Sequence, residues 1–271
     1  MPIIDMKDML QHASNNGYAI ASFDIHNLDI LVGAIAGAEA CDAPLILSIT
    51  EGQLELPRFD SLMAAIETAA KCTRIPIAIQ LKHAKQFDKV VRAINVGCNS
   101  VMLAPSLDVS SIRQTVNMAR NCGITIGVSS NRPEPALLSQ LLEMTKLDYL
   151  AIEAESAAQI TGHEQVVIPL AIEIENGTLE SSYVPLIAKN VAVIEFGARL
   201  NRLADSRIRL NATASKTGYR SLMQGVTDIV EQEVQACIEN CQSAGQANNL
   251  LEHASPWAPI EHLIIFNVEG I

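Results

Sequence analysis

Aromatic side chains are scarce in this sequence. They make up 4% of its 271 residues and include a single Trp. An aromatic-dominated core is thereby excluded, so Ala, Ile, Leu and Val must fill the interior. With 49% apolar residues the chain can build a large core at this length. Basic residues are also in short supply: 19 Lys and Arg face 30 Asp and Glu, a formal net charge of −11. That balance argues against nucleic acid, whose phosphates need basic patches, and against anionic lipid. No apolar run reaches the ~20 residues of a membrane-spanning helix. The opening MPIIDMKDML carries acids early and lacks a basic region followed by an apolar one. It does not read as a secretion signal, and a cytoplasmic location is expected. Cysteine is present, but not in ligand-like groups. Cys41, Cys72, Cys98 and Cys122 each fall near the end of a candidate helix, and Cys237 and Cys241 stand four residues apart on another. Zinc sites bring their cysteines in close pairs, so buried thiols are the plainer reading of all six.

What the chain does contain is a repeated alternation. YAIASF (18–23), PLILSI (44–49), IPIAIQL (75–81), SVMLA (100–104) and ITIGV (124–128) read as strands, followed by LDYLAIE (147–153), VVIPLAIEI (166–174) and VAVIEF (191–196). Helical periodicity fills the intervals at 28–41, 59–72, 87–97, 109–122 and 134–145. Near-continuous Val, Ile and Leu runs indicate parallel strands covered on both faces. Eight such units predict an α/β (β/α)8 TIM barrel, with an open doubly wound sheet second because no early Gly-rich nucleotide loop is present. A long amphipathic helix is predicted at 219–242. Residues 1–247 then form one barrel domain, and 248–271 an extension with the only Trp and the apolar run HLIIFNV. That extension either docks on its own barrel or serves as an arm buried on a neighbouring subunit.

A barrel of this type carries its site at the C-terminal ends of its strands. Those ends offer Asp24 and His26, Thr50 and Glu51, Lys82 and His83, Ser129 and Ser130, Glu153 and Glu155, Glu173 with Glu175 and Asn176, and Glu195. Acids outnumber bases. Asp24, Thr50, Ser129, Glu175, Asn176 and Glu195 are the candidate ligand-binding set, and Lys82 is the candidate catalytic residue.

Several segments resemble the class II fructose- and tagatose-bisphosphate aldolase family over about residues 1–247. GYAIASFDIHNLDILVGAIAGAEACDAPLILSITEG is similar to the family's opening strand–helix–strand, and IPIAIQLKHAKQFDKVVRAINVGCNSVMLAPS to the segment around its Leu-Asp-His-Gly motif. IPLAIEIENG resembles the Pro-Leu-Val-Leu-His-Gly-Gly-Ser-Gly segment, VAVIEFGARL the segment with Asn-Ile-Asp-Thr, and SAGQA the common end of the chain. The resemblance implies a TIM barrel and zinc-dependent cleavage of a ketose bisphosphate. In that chemistry three histidines hold Zn²⁺, which polarises the carbonyl and stabilises an enediolate, while an aspartate moves the proton.

This chain departs from the family pattern at those positions. His83 stands at the first zinc histidine, but Ala158 takes the second position and Glu173 the third, with His163 five residues past Ala158. Lys82 replaces the acid/base aspartate. The phosphate turn reads Ile174, Glu175, Asn176, and Glu195 and Gly197 replace the asparagine and aspartate of the last loop. No metal or other cofactor is therefore expected. The alternative is zinc on a residual set of His83, Glu173 and His163. An ion pair between Lys82 and Glu173 is the expected substitute for the cation. The functional readings are a non-catalytic paralogue acting as scaffold, partner or binding protein, or an aldehyde-lyase with altered chemistry, through a Lys82 Schiff base or the residual metal set. A homo-oligomer (dimer or higher) or a protein partner is expected, with a small polar or sugar-like ligand, no nucleic acid and no membrane.

Overall fold

The structure, a computed structural model, describes residues 3–130, 143, 145–153, 168–174, 183–214 and 218–258. Eight parallel strands close into a barrel in sequence order: β1 (Ile20–Asp24), β2 (Leu45–Thr50), β3 (Ile77–Ala84), β4 (Ser100–Leu103), β5 (Thr125–Ser130), β6 (Tyr149–Glu153), β7 (Leu170–Glu173) and β8 (Val191–Glu195). Closure is made by β1 on β8, with Ile20 opposite Val193 and Ser22 opposite Glu195. The described helices are α1 (Met6–Asn16), α2 (Leu28–Ala40), α3 (Phe59–Cys72), α4 (Phe87–Asn95), α5 (Val109–Asn121), α6 (Val184–Ile187), α7 (Arg199–Thr213), α8 (Tyr219–Leu222), α9 (Val226–Asn240) and α10 (Ala247–His253). The predicted (β/α)8 TIM barrel is the observed fold. Most of the predicted helix at 134–145 lies outside the described residues.

Strand alternation divides the core in two. Phe23, Leu47, Ile79 and Val101 face outward and pack on apolar stripes such as Ile30 and Ala34 of α2 and Met63 and Ile66 of α3. Ile20, Ile46, Ala78, Met102, Tyr149, Ala171 and Val193 belong to a second cluster inside the barrel. Met6, Met9 and Leu10 of α1 and Leu250 of α10 join this inner cluster, so α1 plugs the N-terminal end of the barrel. Small side chains make room for the larger ones. A β-carbon at Gly127 would sit 2.3 Å from Tyr149 Cζ, so glycine at that point of β5 is what lets the Tyr149 ring lie inside.

The predicted helix at 219–242 is two helices. Gly225 has φ +75°, a left-handed conformation that ends α8's turn and starts α9. From there α9 packs closely on α2: a β-carbon at Gly33 would lie 2.7 Å from Val230 Cγ1, and one at Gly37 2.7 Å from the Glu231 carbonyl. Helix α7 has no counterpart in the sequence reading, because only Leu200, Ala204 and Asn211 of its 15 residues are buried. At the N-terminal face, Ile4 bridges Pro256, Trp257 N–H donates to the Ile3 carbonyl at 3.0 Å, and Trp257 Nε1 donates to the Gly123 carbonyl at 3.1 Å. Residues 248–258 thus lie on their own barrel, while HLIIFNV falls outside the described residues.

Candidate functional site at the barrel mouth

Lys82 points into the barrel from β3, opposite Thr50 of β2, and is 4% exposed. Its ammonium lies 2.9 Å from Glu195 Oε2 and 3.4 Å from Asp24 Oδ1. Because β8 neighbours β1 in the closed sheet, these two carboxylates come from adjacent strands. Burial by itself pulls the Lys82 pKa down, but Glu195 and Asp24 outweigh it and the amine is held above its ordinary value. Glu195 is fully buried: neither of its oxygens has a hydrogen-bond partner among the described residues, and Oε2 forms an ion pair with the ammonium. Burial raises the Glu195 pKa, Lys82 offsets part of that rise, and the charge of Glu173 adds to it.

The next residue, His83, is left-handed (φ +52°) and sits where the β3–β4 register shifts between Leu81 and Ala84. Such a bulge re-aims side chains, and a non-glycine residue held there is strained. The strained backbone presents the imidazole to Glu173: His83 Nε2 lies 3.3 Å from Glu173 Oε2. Ser129 Oγ of β5 donates to the other oxygen, Oε1, at 2.8 Å. Burial would raise the Glu173 pKa, but the His83 contact and charge and the Lys82 charge together bring it below its ordinary value. His83 is raised in turn, first by its hydrogen bond to Glu173, against burial.

The sequence pairs Lys82 with Glu173; the structure gives it Glu195 and Asp24 instead. Glu173 is held by His83 and Ser129, and reaches Lys82 only as a nearby charge. Of the other sequence candidates, Asp24, Ser129 and Glu195 converge on this mouth. Thr50 is turned to local work: its N–H donates to Gln53 Oε1 at 2.8 Å, capping the short turn at Glu51–Glu55. His163, Glu175 and Asn176 lie outside the described residues. Also unforeseen is a polar set within the barrel. Ser22 and Ser48 are bonded at 2.8 Å, Ser48 Oγ donates to Gln80 Oε1 at 2.8 Å, and Gln80 Nε2 donates to the Tyr149 hydroxyl at 2.7 Å. The signal was available, since these are polar residues at inward-facing positions of apolar strand runs. At the rim, Asn201 and His26 are in contact at 2.8 Å between Nδ2 and Nδ1.

The described residues do not fit the catalytic zinc that the family resemblance implies. No group of three or more His, Cys, Asp or Glu among them is disposed to hold a metal ion. His83 at the mouth is engaged by Glu173. A protonated, buried ammonium opposes a second positive charge in the same cage, whereas catalytic zinc takes three protein ligands.

Comparison with known proteins places this geometry. Residues 4–128 match the family described as fructose-bisphosphate aldolase class-II. Among solved structures, the YdjI aldolase from Escherichia coli K12 superposes with a TM-score of 0.82 at 21% identity, over 90% of this chain and 99% of that one. A protein of Coccidioides immitis described as a candidate fructose-1,6-bisphosphate aldolase gives 0.78 at 17% identity, over 92% and 100%. Fructose-bisphosphate aldolase from Campylobacter jejuni gives 0.70 at 11% identity, over 88% and 94%. The structural likenesses, all under 25% identical, carry the fold, and over residues 4–128 the sequence is similar to the class II fructose-bisphosphate aldolases.

Proposed function

We propose that this protein is a non-catalytic paralogue of the class II aldolases, a barrel used as a binding or assembly component and not for zinc-dependent cleavage of ketose bisphosphates. One observation carries the reading: the Lys82 ammonium is buried between Glu195 and Asp24 at the mouth. Aldol cleavage of the family's kind needs an electrophile that polarises the carbonyl and a group that accepts or returns a proton. An ammonium held protonated by two carboxylates accepts no proton. It is equally unsuited to a Schiff base, which requires the neutral amine that a lowered pKa supplies. Three carboxylates (Asp24, Glu173 and Glu195) around one ammonium and one imidazole also disfavour a phosphate dianion. A ligand of this mouth is a polar, sugar-like or cationic molecule. Assembly draws support from exposed apolar side chains, Leu28 and Val32 one turn apart on α2 among them.

The test is an aldolase assay coupled to triose-phosphate oxidation, run on protein purified in the presence of zinc, with metal content measured on the same sample and mass by light scattering. The reading predicts no ketose-bisphosphate cleavage, sub-stoichiometric zinc and a species larger than the monomer. Turnover with stoichiometric zinc would overturn the non-catalytic part, and a strict monomer the assembly part.

A further inference from the structure

We propose that the barrel mouth is an ammonium-binding cage, filled in cis by the chain's own Lys82. Its walls come from three strands at the barrel closure: Asp24 ends β1, and Glu173 and Glu195 end the consecutive strands β7 and β8. All three carboxylates are buried, 7%, 8% and 1% exposed. Such a cluster needs a cation, since buried carboxylates without one are expelled or neutralised. The occupant is a primary ammonium at 2.9 Å and 3.4 Å from two of the walls. The shorter contact is an ion pair with Glu195, and the longer one is a long hydrogen bond donated by Lys82 Nζ to Asp24 Oδ1.

A second feature, the state of the Glu195 oxygens, also points to occupancy by a cation. Both oxygens of Glu195 are buried without a hydrogen-bond partner among the described residues, and only the Lys82 ammonium, 2.9 Å from Oε2, answers their charge. A carboxylate is kept in that position by the field of the charge beside it. The cage suits an ammonium better than a divalent ion. Glu173 is already engaged through both oxygens, by His83 and Ser129, so it contributes charge more readily than a bond. An ammonium tolerates that looser arrangement, whereas a divalent ion demands three or more aligned donors. The inference concerns the charge stored in the site and is independent of whether the protein turns over a substrate.

Shortening the tether tests it. Lys82→Ala removes three carbons and the ammonium, which is the shape of n-propylammonium. The melting temperature of this variant is measured with n-propylammonium chloride, with 1-propanol as the uncharged counterpart, with sodium chloride at matched ionic strength, and with zinc chloride. The cage predicts a lowered melting temperature that n-propylammonium restores by at least half, saturably and at millimolar concentration, with no comparable effect of the other additives. Wild-type protein should show no such response. Lys82→Met, which fills the space without charge, should be destabilised and should not be rescued. If Lys82→Ala does not stay folded, its refolding yield with and without n-propylammonium is the readout, and recovery only with the amine supports the cage. Equal yields, equal shifts in wild type and variant, or rescue by zinc in place of the amine would each overturn the proposal. None of these outcomes alters what the aldolase assay measures.

Discussion

The mouth holds two charged arrangements side by side, and they answer to pH differently. Lys82 with Glu195 and Asp24 is deeply buried; breaking a buried pair by removing one partner costs ~3–5 kcal/mol, because the other charge is left behind. The pair of His83 and Glu173 is more open and titratable. His83 is raised from its ordinary 6.5, so its contribution to stability is complete below 6.5 and fades as pH rises through the raised value. Glu173 is lowered from 4.5, so its contribution is complete above 4.5 and fades as pH falls through the lowered value. The pair therefore stabilises the fold most between about pH 4.5 and 6.5. His83→Asn keeps a side chain tolerant of the left-handed backbone but removes the titrating charge. The gap in melting temperature between wild type and this variant is expected to be widest in that window and to narrow by pH 9. A gap independent of pH would show that the ion pair adds nothing.

Among the elements, the strands were legible and some helices were not, for physical reasons. Parallel strands buried on both faces leave continuous Val, Ile and Leu runs, and all eight predicted runs overlap the observed strands. The charge-rich α7 buries too few side chains to leave a stripe. Gly225 breaks the predicted terminal helix by a backbone conformation that helical periodicity does not register. The partner of Lys82 was hidden for a related reason. Residues 24, 173 and 195 are all acids at strand ends, and only barrel closure and register decide which carboxylate meets the ammonium. The bulge at His83 swings the imidazole to Glu173, which sequence spacing does not reveal. The packing of β5 on β6 inside the barrel can be tested directly. Gly127→Ala places a methyl 2.3 Å from the Tyr149 ring, and Tyr149 is tied to Gln80 by its hydroxyl. Overpacking of this kind costs ~1–3 kcal/mol. Chemical denaturation should show a lower midpoint, and Tyr149→Phe in the same background should not restore it. An unchanged midpoint would mean that the ring moves freely.

Seen as a whole, the molecule is a closed barrel plugged by α1 at its N-terminal end and charged at the opposite end. No helix among the described residues is long and apolar enough to cross a membrane. The segment after 247 contributes to the plug: Leu250 is fully buried in the inner cluster with Met6, Met9 and Leu10. Leu250→Ala is expected to lower stability by ~2–5 kcal/mol, as cavity-forming changes do, measured by urea denaturation. A loss under ~0.5 kcal/mol, the range of surface substitutions, would show that this segment rests on the barrel without supporting it.

The plug closes one end of the barrel, and at the other the Lys82 ammonium lies between Glu195 and Asp24, in the reading proposed above as a substitute for a catalytic metal. Anomalous diffraction at the zinc edge, from crystals grown with zinc, addresses that substitution directly. The expected result is no anomalous peak between His83 and Glu173, with Lys82 Nζ in contact with Glu195. A strong peak bonded to His83, with Lys82 turned away from Glu195 and Asp24, would contradict it.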